Sequence, residues 1–174
     1  MIVAGVDLGV RKAAVTLLDG DQMLWTGAFE SVAKPRSHQL AQVAEWVRDR
    51  VEETGVIYVE EPLVGRSTRV SLQIAQTAGA VLSAVSDLPG SYLVSNTAWK
   101  KVLLGSGNAD KVKIQEWLDL NYSSYALNCD GDQDCYDATC IALYGQLQQE
   151  LAARLREDAQ PAGTKSVQHG EALA

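Results

Sequence analysis

The chain has 174 residues, enough to bury a full core, and reads as a single domain. Hydrophobic residues make up 47% of it but never form a run long enough to cross a membrane, which excludes a membrane span. The net charge of −7 argues against a uniformly basic nucleic-acid binder, yet four of the seven lysines (Lys100, Lys101, Lys111, Lys113) crowd into fourteen positions. That crowding suggests a basic face on an acidic protein, with an ordinary solvated surface as the other reading. Met1 leads directly into the apolar stretch 2–6 with no basic region or cleavage site, so no signal or transit peptide is expected. Cys129, Cys135 and Cys140 are odd in number and lack metal-site spacing. They read as reduced thiols of a cytoplasmic protein.

Residues 2–7, "IVAGVD", form an apolar run ending in an acid, as a central buried strand would. Residues 13–18 and 23–29 flank the turn Asp19-Gly20-Asp21, a hairpin signal. Three antiparallel N-terminal strands are the simplest reading. Pro35 opens a helix whose apolar residues Leu40, Val43, Ala44, Val47 and Val51 sit at helical spacing, stopped by Gly55. Residues 56–62 make a short buried strand that again ends in acids. A second helix is expected over 69–87, a fifth strand over 91–96 and a short helix over 97–104. A glycine loop with an Asn/Asp cap region then leads into another helix. The last helix starts near Asp132 and runs to about Arg156. One domain over 1–157 and a disordered tail over 158–174 follow from the loss of periodicity at the end.

Acids therefore stand at the ends of three core elements. Asp7 ends the first strand, Glu60 and Glu61 end the fourth, and Asp134 and Asp137 begin the last helix, sharing one face at i and i+3. Like charges brought together raise each other's pKa and destabilise a fold. Such a convergence makes sense if hard divalent cations fill the gap, and Mg²⁺ or Mn²⁺ suit oxygen ligands. Two such ions can activate a water and stabilise a leaving oxygen in phosphodiester cleavage. Asp130 and Asp132 read as caps of the last helix, and a capping role is open for Asp134 too. An EF-hand loop fails, because Cys135 stands at the required Gly and Ile141 at the required Glu. The "GVDLG" segment also resembles the phosphate loop of the actin and heat-shock ATPase superfamily, which needs two such domains and a longer chain.

Taken together, the motifs resemble the RuvC family of Holliday junction resolvases, within the RNase H-like superfamily. "GVDLGVRKAAVTLL" is similar to its first-strand motif and "VIYVEEPLV" to the strand carrying its second acid, which selects Glu60 over Glu61. "SLQIAQTAGAVLSAV" resembles its dimer-interface helix, "WKKVLLGSGNADKVKIQ" its Lys, Gly-x-Gly, Ala-acid-Lys segment, and "DCYDATCIAL" its final Asp-x-x-Asp. The resemblance runs from Met1 to about residue 149. It implies an α/β RNase H-like fold with a five-stranded mixed sheet flanked by helices. It also implies a homodimer that binds four-way DNA junctions and makes paired, metal-dependent nicks.

By that resemblance Asp7, Glu60, Asp134 and Asp137 are catalytic and bind two Mg²⁺ ions, replaceable by Mn²⁺. Lys100 and Lys111 contact DNA phosphates, Lys101 and Lys113 add to the patch, and Arg11, Arg66 and Arg69 are further candidates for backbone contacts. Pro62-Leu63-Val64 stands where members commonly carry a Phe that enters the junction centre, which leaves Leu63 as the wedge. An aliphatic wedge and an acidic chain point to a broader preference for branched or flap DNA, as in phage-encoded relatives. The rival readings are an RNA nuclease of the YqgF type and a junction-binding module that does not cut.

Overall fold

The computed structural model describes residues 1–63, 65 and 67–159. Five strands, β1 (Val3–Leu8), β2 (Lys12–Asp19), β3 (Gln22–Glu30), β4 (Val56–Glu60) and β5 (Ser91–Val94), form one sheet in the order β3-β2-β1-β4-β5. The first three pair antiparallel, whereas β1–β4 and β4–β5 pair parallel. The expected hairpin turn joins β2 to β3, and Gly20 supplies its positive φ of 55°.

A parallel pair cannot be closed by a tight turn, so each needs a crossover. α1 (Arg36–Val51) makes the first and α2 (Thr68–Ala84) the second. Beyond β5 come α3 (Asn96–Leu104), α4 (Lys111–Asn121), α5 (Ser123–Cys129) and α6 (Gln133–Ala159). No described helix is long and apolar enough to cross a membrane.

Strand side chains alternate between faces, and each face has its own core. Ala4, Val6, Val15, Ile57 and Val59 pack against Val43 and Val47 of α1 and Val81 of α2. Val3, Leu18, Val56 and Tyr58 pack on the other face against Trp99, Leu118, Ile141 and Ala142 from α3, α4 and α6. The second face places α6 very close to the sheet. A Cβ on Gly5 would stand 2.2 Å from the Ala138 carbonyl oxygen, and one on Gly145 would stand 2.5 Å from the Tyr58 ring. Glycine at both positions lets helix backbone lie directly on strand and ring. Fully buried Thr16 and Thr139 lock the same contact with a 3.0 Å hydroxyl hydrogen bond from β2 to α6.

Several boundaries differ from expectation. α2 ends at Ala84 rather than near residue 87, because Val85 leaves the helical region with ψ at 17°. The seven-residue α5 was not expected, since it is too short for its buried Tyr125, Ala126 and Cys129 to establish a period. Asp132 caps α6 as anticipated, its Oδ1 accepting from the amides of Asp134 at 2.8 Å and Cys135 at 3.3 Å. Asp130, expected beside it as a second cap, instead closes α5 in the left-handed region at φ 48°, a conformation aspartate tolerates. α6 continues to Ala159, so the domain end anticipated at 157 falls inside a helix. The remainder of the anticipated tail, 160–174, lies outside the described residues, as do Val64 and Arg66.

Candidate active site

Parallel pairing of β1 and β4 brings their carboxyl ends to one edge of the sheet. Val6 pairs with Val59, so Asp7 and Glu60 follow as the next residues on neighbouring strands. Both have the parity of the face that carries α6. Gly5 sits two residues before Asp7 on that face, and because it seats α6 at Ala138, the preceding turn of the helix overhangs Asp7. Asp134 and Asp137 occupy that turn.

The electrostatics express this convergence. The Asp7 carboxyl is held well above the ordinary aspartate range, first by burial and then by the charges of Glu60, Asp137 and Asp134. Its hydrogen bond with Glu60 acts in the same direction. Asp137 is pushed up to about 6, mainly by burial. The hydrogen bond from Gln133 Nε2 to its Oδ1 at 3.1 Å works against that rise, Glu60 adds to it, and the Lys100 and Lys111 charges lower it.

Each remaining acid has a partner that orients it. Glu60 Oε1 accepts from Asn96 Nδ2 and, at 3.2 Å, from Nε1 of the buried Trp99. Asp134 Oδ2 accepts from the Lys12 ammonium at the start of β2. Burial of Lys12 disfavours its charge, but the Asp134 hydrogen bond together with the charges of Asp134, Asp7 and Asp132 raises its pKa above the ordinary lysine value. Among the described residues, no three acid, histidine or cysteine side chains close into a ready metal cage. Glu60 is turned onto its nitrogen donors and Asp134 onto Lys12. The chemistry of the donor set nonetheless fits a hard cation, with four carboxylates and a buried, repelled Asp7 whose charge a cation would offset.

The predicted DNA contacts divide. Lys100 in α3 and Lys111 at the start of α4 lie near enough to act on Asp137, and the Lys100 ammonium also stands 5.2 Å over the Trp99 ring. Lys101 and Lys113 are exposed on the same two helices and are not among the charges that shift Asp7 or Asp137. Arg11 is drawn onto Glu30 by a 2.6 Å ion pair, and Arg69 is exposed in the first turn of α2. Leu63, in the loop after β4, is 53% exposed. Reading the sequence missed Lys12, Asn96, Trp99 and Gln133 as parts of the site. Only Gln133 carried a usable signal, standing four residues before Asp137 on the same helix.

The family model described as "Lactococcus phage M3 protein" matches residues 26–147, from within β3 into α6, and so includes Glu60, Asp134 and Asp137 but not Asp7. No curated protein matches the chain. Among solved structures it is similar to Thermus thermophilus RuvC, with a TM-score of 0.69 and 20% identity over 87% of this chain and 97% of that one. T. thermophilus RuvC in complex with Holliday junction substrate gives 0.68 and 18%, over 87% and 96%. The yeast mitochondrial Holliday junction resolvase Ydc2 gives 0.58 and 14%, over 90% and 83%. These likenesses establish the expected fold, an RNase H-like mixed sheet of RuvC type. By that family-model match, which spans more than half of its residues, the chain belongs to the Lactococcus phage M3 protein family.

Proposed function

We propose that this chain is a structure-selective DNA endonuclease that resolves four-way junctions by paired nicks, working as a homodimer in the cytoplasm of a phage-infected bacterium. One observation carries the reading: Glu60 of β4 and Asp134 and Asp137 of α6 all act on the buried Asp7 of β1, which is strongly disfavoured as an anion. A structural protein gains nothing from that repulsion, whereas a phosphodiesterase needs it. The RuvC-type fold supports the same conclusion, since solved examples carry junction substrate.

The four acids would hold two Mg²⁺ ions, or Mn²⁺ in their place, which supply a positive charge that activates water and stabilises the departing oxygen. The protein's own groups prepare that site. Asn96 and Trp99 fix the Glu60 carboxylate, and Gln133 turns Asp137 toward the cluster. Lys100 and Lys111, on the rim, receive the phosphate backbone and set its position beside the acids. Leu63 enters the junction centre. Exposed Val70 and Leu72 on α2 offer the apolar surface for a second copy, with Leu72 60% exposed.

The aliphatic wedge favours a second reading, a debranching nuclease that accepts flaps as well as junctions, because Leu63 cannot stack on a base. A labelled four-way junction, a flap and a linear duplex, each incubated with Mg²⁺ and with EDTA, separate the two. Symmetric nicks confined to the junction establish the resolvase. Equal cutting of junction and flap establishes the broader enzyme. Uncut DNA with cleaved structured RNA would overturn both, and tight junction binding without cleavage would leave a binding module.

A further inference from the structure

Lys12 is the cation of this site that neither the four acids nor the rim lysines explain. Its backbone is fixed by a tight turn, in which the Gly9 amide donates to the Lys12 carbonyl at 2.9 Å. Its stem then passes over Gly9 so closely that a Cβ there would stand 2.6 Å from Lys12 Cγ and 3.1 Å from Cε. The missing side chain of Gly9 is thus the groove through which the ammonium reaches Asp134. Asp7 and Asp132 face the same charge. The Lys12 side chain is still 45% exposed, against 20% for Asp134, so one side of the pair is open to solvent.

We infer that Lys12 is a built-in countercation of the acidic cluster: it holds Asp134 in place of a divalent ion and must leave before Asp134 can serve as a ligand. The inference rests on the nuclease reading above and deepens it. Four converging carboxylates without a cation repel one another, and an ammonium among them offsets part of that repulsion while no metal is bound. The same contact makes Lys12 a competitor, because Asp134 Oδ2 cannot accept from an ammonium and bind a metal at full strength together. A lysine on a flexible stem with an open side can give way to a doubly charged ion, at a cost to the ion's affinity.

The test is metal binding in the absence of DNA. Wild type, Lys12→Met, Lys12→Arg, Gly9→Ala and Asp7→Asn are each titrated calorimetrically with Mn²⁺ and with Mg²⁺, and melted in EDTA and in Mg²⁺. Lys12→Met keeps the stem and removes the charge, so Mn²⁺ should bind about five- to tenfold more tightly. Its melting temperature in EDTA should fall and its rise on adding Mg²⁺ should grow. Gly9→Ala, which pushes the stem aside, should move metal affinity in the same direction, and Lys12→Arg should stay near wild type. Unchanged or weaker metal binding in both Lys12→Met and Gly9→Ala would overturn the role of Lys12 alone, provided that wild type binds metal and Asp7→Asn does not. If wild type binds no divalent ion, the nuclease reading falls with it.

Discussion

Gly5 of β1 lies directly beneath Ala138 of α6, with the Ala138 carbonyl oxygen 2.2 Å from where a Gly5 Cβ would be. That oxygen and the neighbouring Ala142 amide are backbone atoms that cannot swing aside. Gly5→Ala should therefore lift α6 from the sheet. Overpacking of this kind costs about 1–3 kcal/mol. Because the displaced helix carries Asp134 and Asp137, cleavage should fall by at least about tenfold even at temperatures where the variant stays folded. Urea denaturation and a junction-cleavage assay on the same preparation check both parts, and wild-type values in either would contradict this account of α6.

Asp7→Asn keeps the shape of the side chain and removes the charge that its neighbours oppose. On the proposed function, cleavage should drop by more than about 100-fold, since the lost group would be a ligand rather than a supporting partner. Junction affinity, measured by gel shift in Ca²⁺, should stay within about threefold because the proposed phosphate contacts, Lys100 and Lys111, lie elsewhere. A parallel loss of binding would show that Asp7 shapes the DNA surface instead.

The raised pKa of Asp137 makes metal-free stability fall as pH rises. Its folded-state value is pushed from the ordinary 3.8 to about 6, so the native protein holds the proton more tightly than the unfolded chain. Stability from that proton is present below the unfolded value and is lost as pH climbs through about 6. Two pKa units correspond to about 3 kcal/mol, and partial hydration of the carboxyl brings the expected effect nearer 2 kcal/mol. Asp137→Asn should accordingly be more stable than wild type at pH 7 in EDTA and lose that advantage by pH 4. Guanidinium melts at the two pH values measure the difference, and an advantage independent of pH would refute the assignment.

Lys100 and Lys111 should differ from Lys101 and Lys113. Alanine at either of the first pair should reduce the slope of log affinity against log salt by about one and weaken binding to all branched substrates alike. Alanine at Lys101 or Lys113 should have a smaller effect, as neither is among the charges that shift Asp137. Salt titrations of junction binding by fluorescence anisotropy would rank the four, and equal slopes would remove the distinction.

Much of this architecture was legible because it is local. Apolar runs and the Asp-Gly turn placed β1, β2 and β3 within a residue or two, and the i, i+3 spacing put Asp134 and Asp137 on one helix face. Glu60 could be preferred to Glu61 only through a family resemblance, and strand parity now gives the physical reason: Glu60 shares the α6 face with Tyr58, while Glu61 is exposed. The partners of the acids were not legible. Lys12 and Asp134 are 122 positions apart, and Trp99 lies 39 from Glu60. No pattern within one element encodes which distant nitrogen will meet a given carboxylate. α5 escaped for the opposite reason, being too brief for any pattern to repeat.

The direction of β4 has a consequence for how this chain can vary. Were β4 antiparallel to β1, its final residue would lie beside Val3, four residues or about 13 Å from Asp7. The acids would then stand at opposite ends of the sheet. Length changes in the segments between β3 and α1 and between α1 and β4 alter only how the crossover returns. A single residue added inside Val56–Glu60 would turn Glu60 to the α1 side and present its neighbour to α6 instead. Tolerance to insertion should thus change abruptly at Val56, from a permissive connection to five positions where the count of residues is itself part of the chemistry.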